Sequence, residues 1–361
     1  MRRLWALSCL FACAEGKDGA TPEGTPTWHQ DVAPLVARHC SGCHVEGALA
    51  QAVPLDSYDS ARLWGAALQS AVVSRRMPPF QARETPECTP DDPWMHDPRL
   101  SDENIDLISR WVDHEMPEGD PETAAPLLPP AVVQLEGRIS THYAEAAVSL
   151  PVTGAVTDQF ICLSLDPGLL SDGWLTGFEL LSDDARVMHH ALVAVDAAGG
   201  SAALAGSAGQ YPCLGGFGVP ATFIGAWVPG AAPMVVPSGS AVQVPVGARL
   251  VVQLHYHLIG EPVQDATGLA VAWADEAPAR PALFGLFGNA NGLQPDPNDG
   301  GLARLYVPAG ARDHVERLVI PWTITQPLRV FMVLNHMHFI GRRMRVWVER
   351  AGSDDRCLLD T

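Results

Sequence analysis

The sequence predicts a multidomain chain: a small all-α domain, then two antiparallel β-sandwich (jelly-roll-like) domains, the second incomplete. Three observations predict it. Between residues 28 and 120, apolar residues recur with helical period. From about residue 136 they alternate over short stretches punctuated by Gly and Pro, the pattern of half-buried strands. That pattern restarts after the proline-flanked residues 278–281 and breaks off at Thr361 without a closing turn, so the second sandwich reads as truncated.

Composition agrees with this division. The chain has 361 residues, enough for two or three domains, and a hydrophobic content of 47% supports sizeable cores. Only 18% of residues are charged, while 33 glycines and 31 prolines favour short strands joined by turns. A net charge of −18 argues against a nucleic-acid partner. No apolar run is long enough to span a bilayer.

Residues 1–13 read as an export signal, with Met1-Arg2-Arg3 as the basic start and Leu4 to Ala12 as a short apolar core. Leu10-Phe11-Ala12-Cys13 resembles a bacterial lipobox, which would anchor the chain to a membrane by a lipid on Cys13. Ala6-Leu7-Ser8-Cys9 is the rival position, and an ordinary cleaved signal is the alternative. Residues 14–27 are small and polar and read as a flexible tether. All of these readings export the chain, to the periplasm or as a membrane-anchored lipoprotein of a Gram-negative-type bacterium. An oxidising compartment would permit disulfides among Cys88, Cys162, Cys213 and Cys357, with their pairing left open.

The helical domain, residues 28–120, begins with a helix over Trp28 to Cys40, in which Val32, Leu35, Val36 and His39 share a face. Cys40-Ser41-Gly42-Cys43-His44 follows. Two thiols across a two-residue gap can bond to both vinyl groups of a haem, and the next histidine can reach its iron. A zinc knuckle would want a second Cys/His pair, and a redox dithiol a βαβ setting. Neither is present in the pattern. A helix over Ser60 to Arg76, with Leu63, Ala67, Ala71 and Val72 as its apolar face, ends at Met77-Pro78-Pro79. Met77 is the expected sixth iron ligand, with Met95, His96, His114 and Met116 as competitors. Ser101 caps a last helix with Ile105, Ile108, Trp111 and Val112 as its stripe. In this order the segment resembles a class I cytochrome c. The resemblance implies haem c held by Cys40 and Cys43, with His44 and Met77 axial.

A Pro-rich linker, residues 121–135, leads to the first sandwich, residues 136–277. Its expected strands cover residues 147–152, 159–165, 174–181, 187–195, 222–227, 241–246, 250–257 and 269–273. The second sandwich, residues 278–361, has expected strands at 303–307, 316–321, 328–334, 344–349 and 356–359. Three histidine pairs lie on such stretches: His189-His190, His255-Tyr256-His257 and His336-Met337-His338. In a strand, residues two apart point the same way, so His336 and His338 form a ready ligand pair, as do His255 and His257. His189 and His190 can meet one ion only if the backbone bends or the rings use different nitrogens. Imidazoles without nearby carboxylates favour copper or zinc. The natural grouping is one site from His189, His190 and His255, with His257 a further candidate, and a second from His336 and His338.

The succession His189-His190, Gln253-Leu254-His255-Tyr256, then His336-x-His338 with Gly341 resembles the copper type II, ascorbate-dependent monooxygenases, the family of peptidylglycine hydroxylating and dopamine β-monooxygenase. Phe160-Ile161-Cys162 before Gly177-Phe178-Glu179 adds to the likeness, which covers residues 147–361. It implies two copper ions, the first on His189, His190 and His255. The second would sit on His336, His338 and a methionine that this chain lacks, since Met344 does not match. It also implies hydroxylation of a C–H bond in a small organic or peptide-like substrate with O2. Electrons would come from an ascorbate-like reductant or from the haem, fed by a periplasmic donor. The alternative is a non-enzymatic electron-transfer or copper-binding protein with an incomplete second site.

Overall fold

The computed structural model describes residues 24–128, 133–152, 157–287, 293–295, 301, 303–322, 326–337 and 340–361. The export signal and most of the tether lie outside them. The chain divides into two compact units. A helical unit takes in the described residues up to Ser41, Val53–Pro79, and those from Pro98 to 128. A β-rich unit takes in Gly42–Ala52, Phe80–Asp97 and the described residues from 133 onward.

In the helical unit a π-helical turn, Trp28–Val32, runs into α1 (Ala33–His39). The helices α2 (Tyr58–Val73) and α3 (Asp102–Asp113) follow. Ser57 and Ser101 cap them, each hydroxyl accepting from the backbone N–H three residues on. Trp28, Val36, Val72, Ile108 and Trp111 form the buried core. Trp28 and Trp111 pack with ring centroids 5.9 Å apart, and the Trp111 indole N–H donates to the Pro117 carbonyl at 3.0 Å. The buried face of α2 is Ala61, Gly65, Leu68 and Val72, whereas Leu63 is 78% exposed. The expected stripe of Leu63, Ala67 and Ala71 is therefore rotated around the helix. Gly65 explains the rotation: a side chain there would collide with the Met116 sulfur, so the residue that reads as a gap marks the close approach.

The β-rich unit is built on two larger sheets. The first has the order β6 (Gln210–Pro212), β3 (Asp158–Leu165), β10 (Arg249–His257), β5 (Met188–Asp196), β7 (Thr222–Trp227). The second has the order β1 (Arg138–His142), β12 (Gly268–Ala274), β4 (Gly173–Leu181), β9 (Ser240–Val244), β13 (Arg280–Pro281), with β8 (Met234–Val235) also on β4. Leu163, Val193, Val252 and Leu254 from the first sheet bury a common core with Phe178, Val242, Leu269 and Val271 from the second. The strands β2 (Val148–Leu150) and β11 (Val263–Asp265) pair separately, as do β14 (Arg345–Val348) and β15 (Arg356–Asp360). A short helix, α4 (Ser201–Ala205), follows β5. All eight strands expected between residues 136 and 277 form. Disulfides link Cys162 to Cys213 and Cys88 to Cys357. No helix among the described residues is long and apolar enough to cross a membrane.

The expected fold class is corrected by this structure. The molecule is mostly β, with four short α-helices among the described residues and several small sheets. No small all-α domain stands as a body over residues 28–120, because Gly42–Ala52 and Phe80–Asp97 group with the β-rich unit. The reason for the second segment is covalent and polar. Cys88 is bonded to Cys357, the Arg83 N–H donates to the Asp360 carbonyl at 2.8 Å, and Arg345 pairs with Glu87 at 3.4 Å. Among the described residues no second sandwich forms either. Of its expected strands those near 344–349 and 356–359 pair as the β14–β15 hairpin, and the one near 316–321 makes a single bridge between Leu318 and Leu293, while β13 pairs with β9. The described parts of 303–307, 316–321 and 328–334 are in no named strand. A strand needs a neighbour for its backbone N–H and C=O groups, and alternation alone does not supply one.

Candidate metal centre

The centre grows from one irregularity between β5 and β10. Leu254 pairs with Ala191 and His255 with His190, but Tyr256 pairs with Met188. His189 is the extra residue of a β-bulge. A bulge re-aims the side chain it carries. Two adjacent histidines that would face opposite ways in a regular strand are thereby turned to one side.

The three Nδ1 atoms converge. His189 Nδ1 lies 3.0 Å from His190 Nδ1 and 3.2 Å from His255 Nδ1, and His255 Nδ1 lies 3.3 Å from His190 Nδ1. Three nitrogens bound at about 2.0 Å to one tetrahedral ion would stand about 3.3 Å apart. The spacing and the all-imidazole donor set therefore fit a single copper or zinc ion. Among the described residues these three alone form a group of histidine, cysteine or carboxylate side chains close enough to hold a metal.

The surroundings favour neutral rings with free lone pairs. Burial, then the charges of His255, His189 and His336, pull the His190 pKa down to about 4. Burial and His255 lower that of His189 as well. On its far side His255 Nε2 sits 2.9 Å from Asp158 Oδ1, and its ring stacks on Phe160 with centroids 4.1 Å apart. Asp158 carries no signal of its own in the sequence, and Phe160 stands out there only through the family likeness, not as a neighbour of His255. The available clue was their position, two residues apart at the start of a strand that ends up beside β10.

The approach to His189 is braced from below. Asp265, buried, accepts from the Tyr256 hydroxyl at 2.7 Å and from the Asp184 N–H at 3.1 Å. Arg186 clamps Asp184 and Glu261, and its side-chain hydrogen bonds hold the Asp184 carboxyl below the usual carboxylate range. Gln253, buried on β10, donates to the carbonyls of Cys213 at 3.1 Å and Gly216 at 2.5 Å. It anchors the loop behind the Cys162–Cys213 bridge.

The other expected site residues fare differently. His257 is 58% exposed and outside the triad, with its Nδ1 3.6 Å from Asp158. His336 lies near enough to His190 to depress its protonation, yet its segment is not a strand. The neighbouring Asn335 is tied to the Met344 carbonyl and the Thr361 hydroxyl, each at 3.0 Å. His338 lies outside the described residues. Cys40 and Met77 belong to the helical unit, Cys43 and His44 to the β-rich one. Met77 is 41% exposed. Among its expected competitors, Met116 packs against the helical core. The two disulfides take in the other four described cysteines and neither Cys40 nor Cys43. That donor set fits thioether attachment of haem. Burial raises the Cys43 thiol pKa.

No protein-family model matches the chain, and no curated protein matches it in sequence. The two disulfides are compatible with an exported protein.

Proposed function

We propose that the chain is an exported copper- and haem-dependent oxidoreductase, with one copper held by His189, His190 and His255. The convergence of their three Nδ1 atoms to within 3.3 Å carries this reading. Copper bound there would supply one-electron redox chemistry, and zinc would not. The protein's part is to hold three imidazoles in place through the bulge at His189 and the Asp265 network. Cys40 and Cys43, spaced by two residues and followed by His44, would carry haem c, an electron supply on the same chain.

The likeness to the copper type II monooxygenases gives the reaction. One oxygen atom of O2 enters a C–H bond of an organic substrate and the other leaves as water, at the expense of two electrons. His336 would belong to the second copper ion, as the family likeness implies. A second reading, a periplasmic electron-transfer or copper-binding protein, is favoured by one observation: only the first ligand group is assembled among the described residues. Iron and copper per chain separate the two, in protein exported by a host that attaches haem. One iron with two coppers supports the monooxygenase, and one iron with one copper supports the electron carrier. Absence of copper overturns both. The same preparation tests export by the mass of the mature N-terminus, with a lipid on Cys13 marking the membrane-anchored form.

A further inference from the structure

We propose that Asp158, backed by Phe160, is the positioning residue that fixes His255 in the Nε2–H tautomer and so presents its Nδ1 lone pair to the metal. The proposal rests on the metal reading of His189, His190 and His255, but it makes a claim about the protein without any ion. Asp158 and Phe160 are alternate residues of β3, and both touch the same imidazole. The register sets Phe160 opposite His255 and Asp158 opposite His257. Asp158 Oδ1 lies 2.9 Å from His255 Nε2. Phe160 lies flat against the ring, with an interplanar angle of 15°. A carboxylate accepts only, so this nitrogen must carry the proton. The neutral ring then has its lone pair on Nδ1, the atom that faces His189 and His190.

The clamp is itself anchored. Two residues on, Cys162 is bonded to Cys213, and Gln253 opposite Cys162 ties down the same loop. Asp158 also receives Thr157 Oγ1–H at 2.8 Å, which orients the carboxylate. Rotation of the His255 ring would break the Asp158 bond and the Phe160 stack together. A carboxylate on the remote nitrogen raises the basicity of the ligating one, and losing such a partner costs about 10–100-fold in metal affinity.

The test uses the full chain and two readouts. Long-range 1H–15N spectra of the metal-free protein report the His255 tautomer, assigned by its loss in His255→Gln. The wild type is expected to show Nε2–H, Asp158→Ala a mixture of tautomers, and Asp158→Glu the wild-type pattern. Cu(II) competition titration is expected to weaken about 10–100-fold in Asp158→Ala, with an altered EPR spectrum. Asp158→Asn keeps the acceptor without the charge, and is expected to hold the tautomer while changing the EPR spectrum. Asp158 lies at the exposed start of β3, so these variants should fold. An unchanged tautomer in Asp158→Ala, or Nδ1–H in the wild type, would overturn the proposal. Failure of the metal reading looks different: the wild type would show the Nε2–H tautomer and bind no more copper than His255→Gln.

Discussion

At the scale of single residues, the centre depends on three nitrogen atoms and the groups that hold them. His190→Ala removes one part-buried ring of the triad, and copper affinity should fall by at least as much as the roughly 10–100-fold that an outer partner is worth. Equilibrium dialysis against Cu(II) measures it. Gln253→Leu leaves the triad intact but strips the Cys213 and Gly216 carbonyls of their donor. Unpaired buried acceptors cost about 1–3 kcal/mol, so urea unfolding should show that loss with copper content unchanged. The triad itself was legible in the sequence, because histidine pairs on apolar stretches are rare and their residue type limits the metal. Its supports were not. Asp158 is one acidic residue among 41 Asp and Glu, and only the pairing of β3 with β10 brings it to His255.

Elements decide which of these residues can meet. The bulge at His189 lets two neighbours share a side, and deleting His189 would restore a regular ladder, with Met188 and His190 as neighbours opposite Tyr256 and His255. The sheet should keep its circular dichroism while copper binding drops at least about tenfold. Sequence pattern stated the condition, a bend in the backbone, without the means to locate it. Strands with a clear apolar face, such as those carrying Leu163 and Val252, were readable. The edge strand β1, Arg138-Ile-Ser-Thr-His142, was not, since only one neighbour covers it and its pattern is largely polar. Alternation over 328–334 misled for the converse reason: it marks the capacity to pair, not the presence of a partner. The β14–β15 hairpin makes a separate prediction. Arg343 holds the Asp360 carboxyl below its ordinary value, chiefly by its side-chain hydrogen bond. A carboxyl lowered on folding adds stability above its unfolded pKa, about 3.9, and loses it as pH falls through the folded value. Protection factors of the hairpin amides, which correct for the intrinsic pH dependence of exchange, should therefore fall below about pH 4. Asp360→Asn should abolish that acid-dependent part.

Across the whole molecule, one long-range covalent tie adds a grouping that the order along the chain does not suggest. Cys88 and Cys357 are 269 residues apart, and their bond holds the 80–97 segment against the C-terminal hairpin of the β-rich unit. Replacing both by serine should cost about 2–5 kcal/mol, read as a lower melting temperature. Pattern along the chain carried no sign of this tie, so the grouping of residues 80–97 with the β-rich unit could not be read from periodicity alone. The central claim is that His189, His190 and His255 hold one copper. Its most direct measurement is the Cu(II) EPR spectrum and copper content of the chain, stripped and reloaded, beside His190→Ala and His255→Ala. The account predicts a bound copper with nitrogen hyperfine structure from three imidazoles, lost in both variants. Equal copper and an identical spectrum in all three proteins, or no copper in the wild type, would contradict it.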